Sequence, residues 1–252
     1  MVAITRAVSA AIGACELTHV ARAPIDVEVA RAQHAAYERA LADAGYRVER
    51  LPAGDDMPDC VFVEDIAIVF GEIAIVTRPG AASRRIEVPA VAEALARYRD
   101  VRTIDAPATI DGGDVLAIGR QVFVGRSSRT NDAAIAQLER ALAPFAYRLH
   151  GVDVRGCLHL KSAATAISDD AVLINPELVD AELFGALGVV TVDPREPAAA
   201  NVLRLHDRVI VPAAFPRTAE KLTARGLRVE TVDASELAKA EGAVTCCSLI
   251  VN

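Results

Sequence analysis

The chain is 252 residues long, with 52% hydrophobic and 4% aromatic residues and no Trp, a globular composition built on Ala, Val, Ile and Leu with ample material for a core. Its net charge of −7 argues against nucleic acid or an anionic membrane as the main partner, yet does not repel a cationic small molecule. No stretch reaches the roughly 18 apolar residues of a membrane span, so a soluble, non-membrane protein is expected.

Residues 7–15 form a small, apolar run that is rich in Ala, Gly and Ser rather than Leu, with one Arg ahead of it. It lacks the character of a secretory leader, and a strand over residues 3–6 followed by a loop is expected. The cysteines are Cys15, Cys60, Cys157, Cys246 and Cys247, odd in number and without a C-x-x-C pair. They argue against a disulfide framework or a structural zinc site and fit a reducing cytoplasm.

Apolar runs then recur in pairs, each pair broken by a short polar or glycine turn, as in hairpins. Residues 61–70 and 73–77 flank Gly71-Glu72, and 114–118 and 122–124 flank Gly119-Arg120. Residues 163–167 and 171–174 flank Ser168-Asp169-Asp170, and 201–205 and 209–211 flank His206-Asp207-Arg208. A fifth pair is split, with residues 244–251 beside 3–6. Helical patterns cover residues 27–45, 86–98, 131–143, 177–187 and 218–225, with Gly45, Gly188 and Gly226 at expected C-caps. Hairpins spaced by roughly 40 to 50 residues predict a pseudo-fivefold α/β propeller of ββαβ-type repeats around a central active site. An ordinary mixed α/β sheet is the alternative. No linker or low-complexity stretch divides the chain, so a single domain over residues 1–252 is expected.

In a propeller, residues far apart in sequence converge at the axis, and polar residues that break the apolar pattern become candidates. Asp59, Glu64 and Asp65 bracket a strand start; as a cluster they suit a cation, and without a histidine at ligand spacing a guanidinium or ammonium suits them better than zinc. Asp111-Gly112-Gly113-Asp114 lets backbone approach closely between two acids. His159 lies between Leu158 and Leu160, the pattern of a core histidine unless a nucleophile meets it. Thr245-Cys246-Cys247-Ser248 offers one, and strand alternation would turn only one cysteine toward the centre. Residues 78–85 and 126–131 each carry arginines after a hairpin, as solvated loops or as a fork for a carboxylate.

Together DCVFVED, TRPGAASRR, TIDGGDVL, GRSSRTN, LHLKS, AANVLRL and GAVTCCSL resemble, in order and spacing, the dimethylarginine dimethylaminohydrolases, guanidino-modifying enzymes with a five-bladed α/β propeller. The resemblance runs from about Leu17 to the C-terminus. It implies hydrolysis of Nω-methylated arginine to citrulline and a methylamine, with no metal or organic cofactor, in a cytoplasmic monomer or homodimer. By motif position it implies Cys246 as nucleophile, His159 as general acid/base and Asp111 as the carboxylate that orients it. Asp59, Glu64 and Asp65, with Phe62 beside them, would meet the substrate nitrogens. Arg84 and Arg129 would hold the α-carboxylate, and Leu17, Ala240 and Glu241 would lie near the amino acid end. Rivals are an arginine deiminase or amidinotransferase, typically longer, and a catalytically silent arginine-binding propeller.

Overall fold

Each expected hairpin forms and gains a third strand. The computed structural model describes residues 1–206 and 208–252, so Asp207, at the centre of the fourth expected turn, lies outside the described residues. Five three-stranded sheets result. The first joins β1 (Val2–Arg6) to β2 (Arg47–Leu51) and to β15 (Leu249–Val251). The second is β3 (Ala67–Val69), β4 (Ile73–Val76) and β5 (Asp100–Thr103). The third is β6 (Val115–Ile118), β7 (Gln121–Arg126) and β8 (Arg148–Asp153). The fourth is β9 (Ala164–Ala166), β10 (Ala171–Ile174) and β11 (Gly188–Thr191). The fifth is β12 (Leu203–Leu205), β13 (Arg208–Pro212) and β14 (Arg228–Val232).

In every sheet the middle strand pairs antiparallel with an inner neighbour and parallel with an outer one. A parallel neighbour requires a crossover. Four helices supply it: α1 (Val27–Asp43), α2 (Val88–Leu95), α3 (Asp132–Leu142) and α4 (Pro216–Thr223). In the fourth sheet the expected helix over 177–187 is reduced to a 3-10 turn, Ala181–Phe184. Asn175 accepts the backbone N–H groups of Glu177, Leu178 and Val179 in a tight turn, and Gly185 at φ 56° closes the segment. Gly45 and Gly226 adopt the positive φ expected of caps, whereas Gly188 opens β11 and Gly185, at φ 56°, ends the 3-10 turn instead.

The ring follows from alternation along the middle strands. Ile73 and Ile75 enter one apolar cluster with Val122 and Val124, while Ala74 and Val76 enter another with Val2 and Ile4. Phe123 joins Val172 and Ile174; Leu173 joins Val209 and Val211; Ile210 joins Ala3. Successive side chains of a strand point to opposite faces, so a strand that is apolar throughout fills two seams at once. Five seams follow, and the last, between the fifth and first sheets, closes the ring.

Each inner strand is entered through a tight turn, at residues 63–66, 112–114, 160–163, 197–200 and 244–247. The hairpin strand expected from residue 61 therefore begins only at Ala67. These turns, equivalent by the pseudo-symmetry, carry the polar residues that break the apolar pattern.

Candidate active site

One pocket at this end of the ring is lined by Glu16, Asp59, Phe62, Asp65, Arg84, Asp111, Arg129, Leu158, His159, Ala240, Glu241, Gly242 and Cys246. Ten of the twelve residues expected from sequence meet there; Glu64 and Leu17 do not.

Cys246 sits in the turn before β15 rather than on a strand, and Cys246 Sγ accepts the Ala243 N–H at 3.4 Å. The two cysteines still diverge, because Cys247 packs into the seam between the fifth and first sheets. Burial, then the charges of Glu64 and Asp65, push the Cys246 thiol up to about 12, so without a bound cation it stays protonated.

His159 is buried with Nε2 3.1 Å from Asp111 Oδ2 and Nδ1 3.7 Å from Asp65 Oδ1. Asp111 Oδ1 also accepts the Gly80 N–H, which fixes the carboxylate. Burial disfavours the charged ring, but Asp65, Asp111 and Asp114 outweigh it and raise its pKa to about 9. The imidazolium is thus the resting form at neutral pH. The ring fits because residue 113 is Gly: a Cβ there would stand 2.5 Å from His159 Nδ1. Gly242 serves Phe62 likewise, since its Cβ would lie 2.0 Å from the ring.

Asp65, Asp111 and His159 bring ligand-type atoms within 4.8 Å of one another, the set among the described residues that could hold a metal ion. Its carboxylate oxygens already accept from Arg84, Gly113 and Gly80 and face the imidazole. That arrangement suits a caged imidazolium better than a cation site.

Arg84 is buried and spends its guanidinium inside the protein. It donates to Asp65, to both Glu87 oxygens and to the carbonyls of Asp59 and Phe62. Arg84 and His159 hold Asp65 below the usual carboxylate range against the opposing effect of burial. Asp59, whose oxygens accept the Glu16 N–H, is raised by burial to about 6, with Arg84 pulling the other way. Arg129 is freer; among the described residues its Nη2 donates to Thr18 Oγ1, at 3.2 Å.

Glu64 takes a different place from the one expected. Its oxygens accept Lys161 Nζ at 2.6 Å and Thr245 Oγ1 at 2.7 Å, and it faces a second cavity of about 520 Å³ running along the inner strands. Leu17 packs against the core cluster between the fifth and first sheets, and Glu16 stands at the pocket instead. Glu241, at φ 60°, accepts the N–H groups of Thr18 and His19 and pins the 16–20 segment over the pocket. In the pocket itself sequence reasoning missed Glu16, Leu158 and Gly242, each beside a residue it named, and it also missed Lys161 and Thr245, the partners of Glu64.

A family profile described as arginine deiminase matches residues 54–199. A protein of Streptomyces coelicolor named N(G),N(G)-dimethylarginine dimethylaminohydrolase is 43% identical over 235 residues, covering 92% of this chain and 90% of its own length. One of Pseudomonas aeruginosa with the same name is 36% identical, covering 89% of each chain. The solved structure of a dimethylarginine dimethylaminohydrolase histidine-to-glycine variant, an adduct with S-methyl-L-thiocitrulline, superposes with a TM-score of 0.92 at 34% identity and 98% coverage of both chains. That of the Pseudomonas aeruginosa enzyme's cysteine-to-serine variant with citrulline gives 0.91 at 33% identity, covering 98% of this chain and 97% of that one.

Fold and sequence together place the molecule among the guanidino-modifying α/β propellers, as a C–N hydrolase. Within that class the chain belongs to the dimethylarginine dimethylaminohydrolase family.

Proposed function

We propose that this chain hydrolyses Nω-methylated arginine, dimethyl or monomethyl, to citrulline and a methylamine through a covalent intermediate on Cys246. What carries this reading is the meeting in one pocket of Cys246, a charged His159 held by Asp111, and the buried acids Asp59 and Asp65. The names of the relatives and the citrulline bound to one of them support it.

A guanidinium is resonance-stabilised and a poor electrophile, so it must be held fixed and met by a thiolate. Asp59 and Asp65 would bind its N–H groups and keep it charged, with its carbon against Cys246 Sγ. The bound cation offsets the carboxylates that raise the Cys246 pKa and favours the thiolate. Attack forms the S–C bond; the C–N bond to the methylated nitrogen then breaks as His159 delivers its proton there. Nδ1 is the ring nitrogen not bonded to Asp111. The cationic thiouronium left on Cys246 is attacked by water, whose proton His159 takes, and S–C cleavage releases citrulline and restores the cysteine. Asp111 keeps the ring oriented and favours its charged form, as in other nucleophile–base pairs. Arg129 would bind the α-carboxylate, with Ala240, Glu241 and the 16–20 segment at that end. The same reading makes the protein a cytoplasmic single-domain monomer or homodimer that needs no metal or cofactor.

Citrulline release from arginine, monomethylarginine and asymmetric dimethylarginine is the deciding assay. Turnover of the methylated substrates is expected. Turnover of arginine alone would make it a deiminase, the name carried by the matching profile, and none at all would leave an arginine-binding relative.

A further inference from the structure

We propose that Asp114 is a positioning residue for this reaction: one buried carboxylate ties the loop carrying Arg129 and the turns carrying Asp111 and His159 into a single unit. The proposal rests on the roles given above to His159 and Arg129. Asp114 is wholly buried. Its Oδ2 accepts the hydroxyls of Ser127 at 2.5 Å and Thr130 at 2.6 Å, and its Oδ1 accepts the backbone N–H of Leu160 at 3.0 Å.

Each donor leads on to the site. Ser127 Oγ accepts the Arg129 N–H at 3.0 Å, so the hydroxyls on either side of Arg129 converge on one oxygen. Thr130 Oγ1 accepts the Asp111 N–H at 3.4 Å, which links the partner of His159 to the same carboxylate. Leu160 follows His159 directly in the chain. Gly125 leaves the room required, because a Cβ there would stand 2.6 Å from Asp114 Oδ1. Three donors converge on an acceptor-only group in a dry environment, and removing one oxygen leaves a buried N–H or O–H unpaired. Asp114, with Asp65 and Asp111, also favours charge on the His159 ring.

The network satisfies three donors on one buried carboxylate and at the same time spans the site. What it supplies is a fixed distance between the group that holds one end of the substrate and the group that protonates the other. A catalytic alignment that is off by about 1 Å costs on the order of 100-fold in rate.

The test compares Asp114→Asn, Ser127→Ala and Ser127→Thr in the full chain, measuring KM and kcat for dimethylarginine and titrating His159 by NMR. For Asp114→Asn, KM should rise about tenfold, kcat should fall about tenfold, and the His159 titration should move to lower pH. Ser127→Ala should raise KM several-fold with the His159 titration unmoved, and Ser127→Thr, which keeps the hydroxyl, should restore it. A folded Asp114→Asn protein with unchanged KM and unchanged His159 titration overturns the proposal, including one that loses kcat alone through a reduced active fraction. Should Asp114→Asn fail to fold, Ser127→Ala decides, and an unchanged KM overturns the proposal. A wild-type protein that releases no citrulline would instead remove the function assigned above, and the His159 titrations would still report whether the tether exists.

Discussion

Arg84 Nη1 donates to Asp65 Oδ2 across 2.5 Å, and both side chains are almost completely buried. Removing one partner of such a pair strands the other charge out of water, which costs about 3–5 kcal/mol. Arg84→Met should therefore lower stability by that order in denaturant titration, since Asp65 and Glu87 both lose their cation. Arg129→Ala should stay within about 0.5 kcal/mol of wild type while raising KM more than it lowers kcat, because a remote clamp mainly supplies binding. Equal stability of Arg84→Met and wild type would show that the buried pair contributes nothing. Agmatine lacks the carboxylate, so turning it over as well as methylarginine would remove the clamp role from Arg129.

The adjacent cysteines should behave oppositely. Cys246→Ser should abolish turnover, since a serine hydroxyl in the same acidic pocket is a far weaker nucleophile. Cys247→Ser should retain most of it and lose about 1 kcal/mol, because a hydroxyl in that apolar seam can still donate to Ala243 O, as the thiol does at 3.4 Å. A Cys246→Ser enzyme with appreciable kcat would remove the nucleophile role.

The pH dependence follows from Asp59 at about 6 and His159 at about 9. Asp59 must be ionised to hold a guanidinium, so kcat/KM should rise with pH through about 6. His159 must be protonated to serve as acid, so kcat/KM should fall above about 9. Asp59→Asn should remove the acidic limb along with most of the affinity. Folding carries its own linkage. His159 has a folded pKa above its unfolded value, so its contribution is complete below about 6.5 and is lost as pH rises through about 9. Melting temperatures across that range should decline; a flat profile would contradict the raised His159 pKa.

Leaving-group chemistry isolates the role of His159. Dimethylamine departs only when protonated, whereas methanethiol leaves unaided. His159→Gly should be nearly inactive on dimethylarginine yet react with S-methyl-L-thiocitrulline, stalling for want of a base in the second step. Mass spectrometry should locate the adduct on the Cys246 peptide. A folded variant without adduct would show that His159 also governs thiolate formation, or that another residue is the acid.

The middle strands were legible because both their faces are buried, so Ile73–Val76 or Ala171–Ile174 reads as an unbroken apolar run. The outer strands were not. Arg47–Leu51, Asp100–Thr103 and Arg228–Val232 are edge strands with almost no buried residues, and their charged residues hide the pairing. Among site residues, motifs carried Cys246, His159 and Asp111, but not what Glu64 does. Its partner Lys161 stands 97 residues away, and only the ring brings them together at 2.6 Å. Nor could sequence show that the buried acids of residues 59–65 would claim Arg84 for themselves.

The ring is closed by a three-residue ladder, Val2↔Val251, Ala3↔Ile250 and Ile4↔Leu249, between strands that the other four sheets separate. Bringing such distant segments together carries the loop-closure entropy of nearly the whole chain, so this contact is expected to form late in folding. Cys246 lies in the turn that leads into β15, and its carbonyl accepts the Glu64 N–H at 3.0 Å. If that clasp forms last, partly folded molecules would hold Asp111 and His159 in place before Cys246, the proposed nucleophile, is aligned with them. Labelling of Cys246 during refolding, resolved from the other four free cysteines by peptide mapping, should then report completion of the fold.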